Sequence, residues 1–277
     1  MIGCARRFVL ALLAVLATLT LRTAVAQELR VFTVVYDLAA KNDDERPPVV
    51  ARAATLFHAG KVYDYVDAAD EVTIFEPTQR QFRVLSPSRG IVATVAFDEI
   101  RQLVKIAREE TEKQAATLPA SVPGAVETVS LLHFQLSPRF EETFDAETGL
   151  LKLDGGVLNY EVRTADPGRP GVASAYLDYA DWACRLNYLL HPGPVLPEPR
   201  LGLNDSLRSK DRIPTTVRLQ TAGVPHMHLR AEHTTSLELN SRDRGMIHQW
   251  ESQLKSEATR VVTLRDYQRT VLTAQAP

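Results

Sequence analysis

The clearest hydrophobic pattern in the chain is an alternation near its C-terminal end. From Met227 to Leu239 the odd positions are mostly apolar, whereas every even position from His226 to Asn240 is polar or charged. A period of two residues is typical of a strand with one buried face and one solvated face. The pattern therefore predicts a long strand in this region, with His233 on its buried face.

Shorter apolar runs predict further strands in two groups. Residues 53–96 hold about five runs with short connections, among them a Gly60-Lys61 turn and two that start at Pro77 and Pro87, which is typical of an antiparallel meander. Single strands are predicted at 28–37, before the meander, and at 260–272, at the end of the chain. The second half of the sequence predicts strands at 129–136, 140–144, 150–153, 157–163 and 217–219.

Helical spacing of apolar residues interrupts these strands only occasionally. Residues 98–116 and 172–190 each carry apolar side chains along one side and polar side chains along the other, which predicts two amphipathic helices. A short helix is predicted at 198–209. Ser241 is the predicted N-terminal cap of another helix, in which Ile247, Trp250 and Leu254 form the buried stripe.

This order of elements predicts an α+β fold. Strands follow one another in runs without regular alternation with helices, so a parallel, doubly wound sheet is not expected. We expect a large, curved antiparallel sheet, in the form of an incomplete barrel, with two or three helices packed on one face.

The N-terminal 26 residues have the layout of a secretory signal peptide. Arg6 and Arg7 precede an apolar run of 14 residues (8–21), and small residues at Ala24 and Ala26 form a cleavage site. The run is shorter than the ~18 residues expected of a membrane-spanning helix. We expect cleavage after Ala26 and a single exported domain, 27–277, in the periplasm or outside the cell, without a transmembrane segment.

Charge and cysteine content narrow the possible partners. Without the three arginines of the signal, 29 basic residues face 34 acidic ones, a formal charge of −5, which gives no reason to expect nucleic-acid binding. Cys4 would leave with the signal. Cys184 is then the only cysteine, and we expect it to be buried in a helix.

Candidate catalytic chemistry is sparse. His226 and His228 would point to the same side of a strand and could bind one metal ion, with a third ligand from His133, His191 or His248, or they could simply belong to a solvated face. Ser252 and Lys255 have the spacing of penicillin-recognising enzymes, but the companion motifs are absent. The sequence indicates no catalytic trio and no cofactor.

Residues 54–104 resemble a known architecture. The segments 58–64, 71–77, 80–85 and 86–89 are similar to the first strands of the periplasmic lipoprotein-carrier fold. The resemblance implies an incomplete antiparallel barrel wrapped around helices, with an apolar cleft between them. The arginine that gates lipid release in such carriers has no assignable counterpart in this sequence, and no functional residue is carried over.

These observations favour a non-enzymatic exported protein that binds or carries a hydrophobic ligand such as an acyl chain, a lipoprotein or a hydrophobic peptide. A cleft of a few hundred Å³ would favour this hypothesis, and a packed interior would contradict it. The alternatives are a metal-assisted hydrolase using His226 and His228, and a structural partner of another exported protein in an envelope assembly, with an unpaired sheet edge. The predicted ligand-lining residues, which could instead fill the core, are Phe57, Tyr63, Phe75, Phe82, Ile100, Val104, Tyr176 and Leu177.

Overall fold

A computed structural model describes residues 28–40, 46–193, 195–222 and 226–275 of the chain. The predicted signal peptide, including Cys4, lies outside these residues. The strands are β1 Leu29–Asp37, β2 Val49–His58, β3 Lys61–Val66, β4 Glu71–Glu76, β5 Gln81–Ser86, β6 Ile91–Ala96, β7 Glu141–Asp145, β8 Leu150–Asp154, β9 Leu158–Ala165, β10 Ile213–Thr221, β11 His228–Ser236 and β12 Arg260–Val262. The helices are α1 Phe97–Thr117, α2 Ala125–Leu136, α3 Val172–Leu190, α4 Glu198–Ser209, α5 Ser241–Leu254 and α6 Leu264–Gln275.

Within the described residues, all twelve strands belong to one open sheet. Their order is β12-β6-β5-β4-β3-β2-β1-β11-β10-β9-β8-β7. Every neighbouring pair is antiparallel except β12 and β6, which are parallel. The meander β1–β6 is joined to the second-half strands where β1 pairs with β11, so that Thr33 lies opposite His233. The prediction of an α+β fold built on a large, curved antiparallel sheet is confirmed.

Strand register separates the side chains of the meander onto two faces. Phe57, Val62, Phe75 and Phe82 are successive cross-strand partners, and they form a row on the face that we call the inner face. Leu56, Tyr63 and Ile74 form the equivalent row on the outer face.

The helices cover both faces of the sheet. Buried residues of α1, α2, α3, α4 and α6 join the hydrophobic cluster of the inner face. Ile247 and Trp250 of α5 pack on the outer face, against Tyr63 and Ile74. Helices were expected on one face only, and α5 is an addition to that arrangement.

Two strand predictions were wrong. Residues 129–136 belong to helix α2, which buries Ala125, Leu131, Leu132 and Gln135 at helical spacing. A short apolar run does not by itself distinguish a buried strand from a buried helix. The predicted strand 260–272 is only β12, followed by α6.

The start of α6 explains this second error. Thr263 accepts a hydrogen bond from the Asp266 backbone N–H (3.1 Å) and donates its hydroxyl proton to the Asp266 carboxylate (2.8 Å). These bonds satisfy donors that the first helical turn leaves free, and they favour a helix immediately after the strand. Leu264, Tyr267 and Val271 then repeat at helical spacing and are buried.

The cap of α5 also differs by one residue from the prediction. Asn240, not Ser241, accepts a hydrogen bond from the Asp243 backbone N–H (2.9 Å), and the Asp243 carboxylate accepts one from the Asn240 N–H (3.0 Å).

In the part of the chain that the structure describes, no helix is both long and apolar enough to cross a lipid bilayer.

Candidate functional site

A cavity of about 510 Å³ lies between the inner face of the sheet and helix α3. Strands β1–β4 and β9–β11 contribute to one wall, and α3 with its connection to α4 forms the other. Small side chains are present on both walls, with Ala53 and Ala231 on the sheet and Ala180 and Ala183 on α3. Short side chains fill less of the space between the walls than larger ones would, and the core stays open at this point, although protein interiors are otherwise closely packed.

The exposed members of the lining lie at the C-terminal end of α3. Asn187, His191 and Gly193 are exposed, whereas most other lining residues are buried or half-buried. We therefore infer that the cavity opens to solvent beside the connection between α3 and α4. Pro192 and Pro197 restrict the backbone of that connection, since proline fixes φ.

Asp64 places a carboxyl group in the cavity wall. It accepts hydrogen bonds from the Thr55 hydroxyl (2.9 Å) and the Tyr179 hydroxyl (2.8 Å). Burial raises the pKa of Asp64, and these two donors act against that increase. The nearby charge of Glu71 raises the Asp64 pKa further.

Glu71, the second carboxyl group of the lining, is almost fully buried. One of its oxygens pairs with His191 Nε2 (3.1 Å), and the other accepts a hydrogen bond from the Tyr267 hydroxyl (3.1 Å). The hydrogen bond to Glu71 raises the pKa of His191, and partial burial of the imidazole opposes this increase. Glu71 therefore links the sheet to α6 and to the end of α3.

Arg200, near the start of α4, supplies a guanidinium group to the cavity wall. It donates from Nε to the Asn204 side-chain oxygen (3.0 Å). The fully buried Asn204 in turn donates to Asp181 (2.7 Å), whose other oxygen accepts a hydrogen bond from Arg208 (2.7 Å). This chain of contacts holds α4 against α3 and restricts the orientation of Arg200.

His233 lies on the sheet wall, as the alternation of the sequence predicted. Its Nδ1 is 2.9 Å from the Thr33 hydroxyl oxygen. Burial, together with the positive charge of Arg200, lowers the pKa of His233 to about 4, so the imidazole is neutral near pH 7. Among the described residues, Nε2 of His233 is buried without a hydrogen-bond partner.

The remaining ionisable groups of the cavity keep their protons near neutral pH. Burial raises the pKa of Tyr160 to about 12, and burial also raises that of Tyr176. Cys184 lies on α3, as predicted, and is half-buried. Burial raises the pKa of its thiol to about 12, which is the opposite of what activates a nucleophilic cysteine.

The eight predicted lining residues separate into three groups. Tyr176 lines the cavity. Tyr63 lies on the outer face, where its ring stacks on Trp250 at 6.3 Å between centroids. The other six are buried in the inner-face core outside the cavity lining: Phe57, Phe75, Phe82, Ile100, Val104 and Leu177. A ligand-binding role for these residues stays a prediction.

The predicted metal ligands lie at the start of β11. His226 precedes the strand and is exposed, while His228 is its first residue and is half-buried. Over the described ranges, no three His, Cys, Asp or Glu side chains come together in a way that could hold a metal ion. Ser252 and Lys255 are exposed at the C-terminal end of α5.

Sequence reasoning did not assign Arg200 or Asp64 to the site. Arg200 belongs to the predicted helix 198–209, but nothing in its spacing indicates that its side chain turns toward the sheet. The position of His233 on the buried face of an otherwise regular alternation was the available signal.

No protein-family model matches this chain. No curated protein matches it either. Function is therefore inferred from the geometry and chemistry of the cavity.

Proposed function

We propose that this protein is an exported, non-enzymatic binding protein or carrier that holds a hydrophobic ligand, an acyl chain or the acyl part of a lipoprotein, in the cavity between the sheet and α3. The observation that carries the proposal is the cavity itself. Its volume of about 510 Å³ falls in the range of small-molecule sites, roughly 300–1,000 Å³.

The lining supports a hydrophobic ligand. Much of the sheet wall consists of apolar side chains, including Val31, Val35, Val217 and Leu229. Transfer of each CH₂ group of a ligand from water to such a surface is favourable by about 0.8 kcal/mol. The secretory layout of residues 1–26 supports export, where a soluble carrier would move such a ligand through water.

Adjacent alanines on β2 offer a test with a matched control. Ala53 faces the cavity, whereas Ala54 points to the other face of the same strand and does not line it. Ala53→Phe would place a phenyl ring in the open volume. Ala54→Phe makes the same chemical change outside it.

The measurement is fluorescence titration with N-phenylnaphthylamine, an uncharged hydrophobic probe. We expect saturable binding of the probe to the wild-type protein and to Ala54→Phe. Ala53→Phe should lose most or all of this binding. Circular dichroism and thermal unfolding confirm that both variants are folded. Absence of saturable binding to the wild type, or equal binding by the two folded variants, would contradict the proposal.

A further inference from the structure

The charged groups that line the cavity are not equally paired. Asp64 and Glu71 each accept two hydrogen bonds from protein side chains. Arg200 also lines the cavity, but across the described part of the chain no carboxylate forms an ion pair with it. Its Nε donates to the neutral amide of Asn204, and a hydrogen bond from Arg200 to the neutral Tyr176 side chain acts to lower the pKa of that tyrosine. Arg200 is therefore a cation of the cavity wall without an opposite charge from the protein.

The surroundings of Arg200 place its charge among the polar groups of the lining. Burial raises the pKa values of Tyr160, Tyr176 and Cys184, and the positive charge of Arg200 acts against this increase. At His233, burial and the Arg200 charge both lower the pKa. These four residues come from β9, α3 and β11. Because one guanidinium lies close to residues from three different elements, these residues form a common polar end of the cavity.

His233 adds a second unused polar atom at this end. We assign to the neutral imidazole the tautomer in which the Thr33 hydroxyl donates to Nδ1, which leaves the hydrogen on the unpartnered Nε2 as a donor. A guanidinium and an imidazole N–H are both donors to anionic oxygen, and arginine can bind a carboxylate through two parallel hydrogen bonds.

The orientation of Arg200 is restricted before any ligand binds. Asn204 accepts from its Nε and donates to Asp181, which in turn accepts a hydrogen bond from Arg208. A donor that is already positioned loses little conformational freedom on binding, and this lowers the cost of recognition.

We propose that the ligand of this cavity is a single-chain amphiphile with a carboxylate end group, that Arg200 binds the carboxylate together with His233 Nε2–H, and that the hydrocarbon chain lies along the apolar strand wall. This inference rests on the proposed function, because it names the class of ligand that the same cavity holds. Arg200 is a binding residue in this arrangement, and Asn204 is a positioning residue.

The main competing ligand is a cationic amphiphile, since two carboxyl groups also line the cavity. A cation would have to compete with the Thr55 and Tyr179 hydroxyls for Asp64, or with His191 and Tyr267 for Glu71. It would also be repelled by Arg200. We therefore expect the amine analogue to bind most weakly.

The test compares three ligands of equal chain length, dodecanoate, dodecanol and dodecylamine, as competitors of N-phenylnaphthylamine at about pH 7.5. A charged hydrogen bond is typically worth a 10- to 100-fold change in affinity, so we expect dodecanoate to displace the probe about 10- to 100-fold more strongly than dodecanol. In Arg200→Met this preference should disappear, while displacement by dodecanol stays unchanged.

Arg218→Met is the matched control. Arg218 lies on β10 between two residues of the cavity wall, Val217 and Leu219, and its exposed side chain on the other face pairs with Glu161 (3.1 Å). This variant should keep the full preference for dodecanoate. If Arg200→Met does not fold, Arg200→Lys retains the charge without the two-pronged geometry and should show a reduced preference.

The outcomes separate the two proposals. Failure of the uncharged probe to bind wild-type protein contradicts the proposed function. Binding of the probe with equal displacement by acid and alcohol, or with stronger displacement by the amine, overturns the carboxylate inference alone. A preference for dodecanoate that survives in Arg200→Met overturns the role of Arg200.

Discussion

Glu71 is the residue whose replacement tests most directly how the cavity-side helices are attached to the sheet. It begins β4, is 3% exposed, and contacts both His191 and Tyr267. Tyr267 is 1% exposed, and its hydroxyl donates to Glu71. Glu71→Leu keeps a side chain of similar size but removes both acceptors. We expect this change to destabilise the protein by loosening α6 and the end of α3.

The magnitude follows from the two lost contacts. A buried hydroxyl left without an acceptor costs about 1–3 kcal/mol. The pair with His191 adds at most about 1 kcal/mol, because the histidine side chain is 38% exposed and solvent screens the interaction. Removing a buried carboxylate also recovers part of its desolvation cost. A net loss of about 1–3 kcal/mol in the free energy of unfolding is therefore expected.

Tyr267→Phe reveals whether the hydroxyl is the cause. In the double variant, Glu71→Leu with Tyr267→Phe, no buried hydroxyl is left unpaired, so the combined loss should be smaller than the sum of the single losses by about 1–2 kcal/mol. Urea unfolding of the wild type, both single variants and the double variant measures this coupling. Tyr36→Phe, on β1, is the control second substitution, and its effect should add to that of Glu71→Leu. Additive losses at Tyr267 would refute the reasoning.

Three further outcomes are expected. The hydrogen bond to Glu71 raises the pKa of His191, so the pair contributes stability that is complete below about pH 6.5 and is lost as the pH rises through the folded-state pKa. When urea midpoints at about pH 5.5 and 8.5 are compared, the wild-type protein should therefore lose more stability than His191→Gln. An equal change in midpoint for the two proteins would contradict this. Trp250→Ala removes a 4% exposed side chain of the outer-face core and should cost about 3–5 kcal/mol in urea unfolding, and a loss below about 1 kcal/mol would show that α5 is not packed as described. Fatty acids of increasing length should bind about fourfold more tightly per added CH₂ until the cavity is full, and a length-independent affinity in competition titrations would contradict chain burial.

The elements that the sequence predicted well are those with a long, regular period. Helix α3 was predicted with the bounds that the structure shows, because 19 residues give several repeats of the 3.6-residue pattern. The strands of the meander were identifiable from their turns. The errors at α2 and α6 arose where short apolar runs fit both periods and where the capping interaction of Thr263 with Asp266 was not considered.

Assigning residues to the two faces of the sheet required the register, which periodicity does not provide. Phe57 and Tyr63 are both aromatic and both on predicted strands, yet Phe57 pairs with Val62, so that Tyr63 points to the opposite face. A change of register by one residue would exchange the two faces. Tyr63 consequently packs on Trp250, outside the region where a ligand groove was expected.

The location of the cavity depended on contacts between distant parts of the chain. β1 pairs with β11, so Ala53 and Ala231 come to lie on the same wall although nearly 180 residues separate them in sequence. Neither alanine is unusual in its local sequence. Only the pairing of the two halves of the sheet brings these small residues onto one wall of the cavity, and no pattern within a single element encodes that pairing.

Arg200 illustrates why the chemistry of the site is more informative than its hydrophobicity. An apolar cavity alone is compatible with a packing defect, because a void costs stability without implying a ligand. A guanidinium directed at such a cavity carries a further cost, since a cation removed from water is favourable only when an anion or several acceptors compensate it. Replacing Arg200 by an apolar residue would remove that cost, yet the chain instead holds the arginine in place through Asn204, Asp181 and Arg208. Departures from the most stable local choice concentrate at functional sites, and this one occurs where Nε2 of His233 is also buried without a partner among the described residues. The proposed anionic ligand would accept hydrogen bonds from both side chains, whereas a purely structural cavity leaves Nε2 of His233 without a partner.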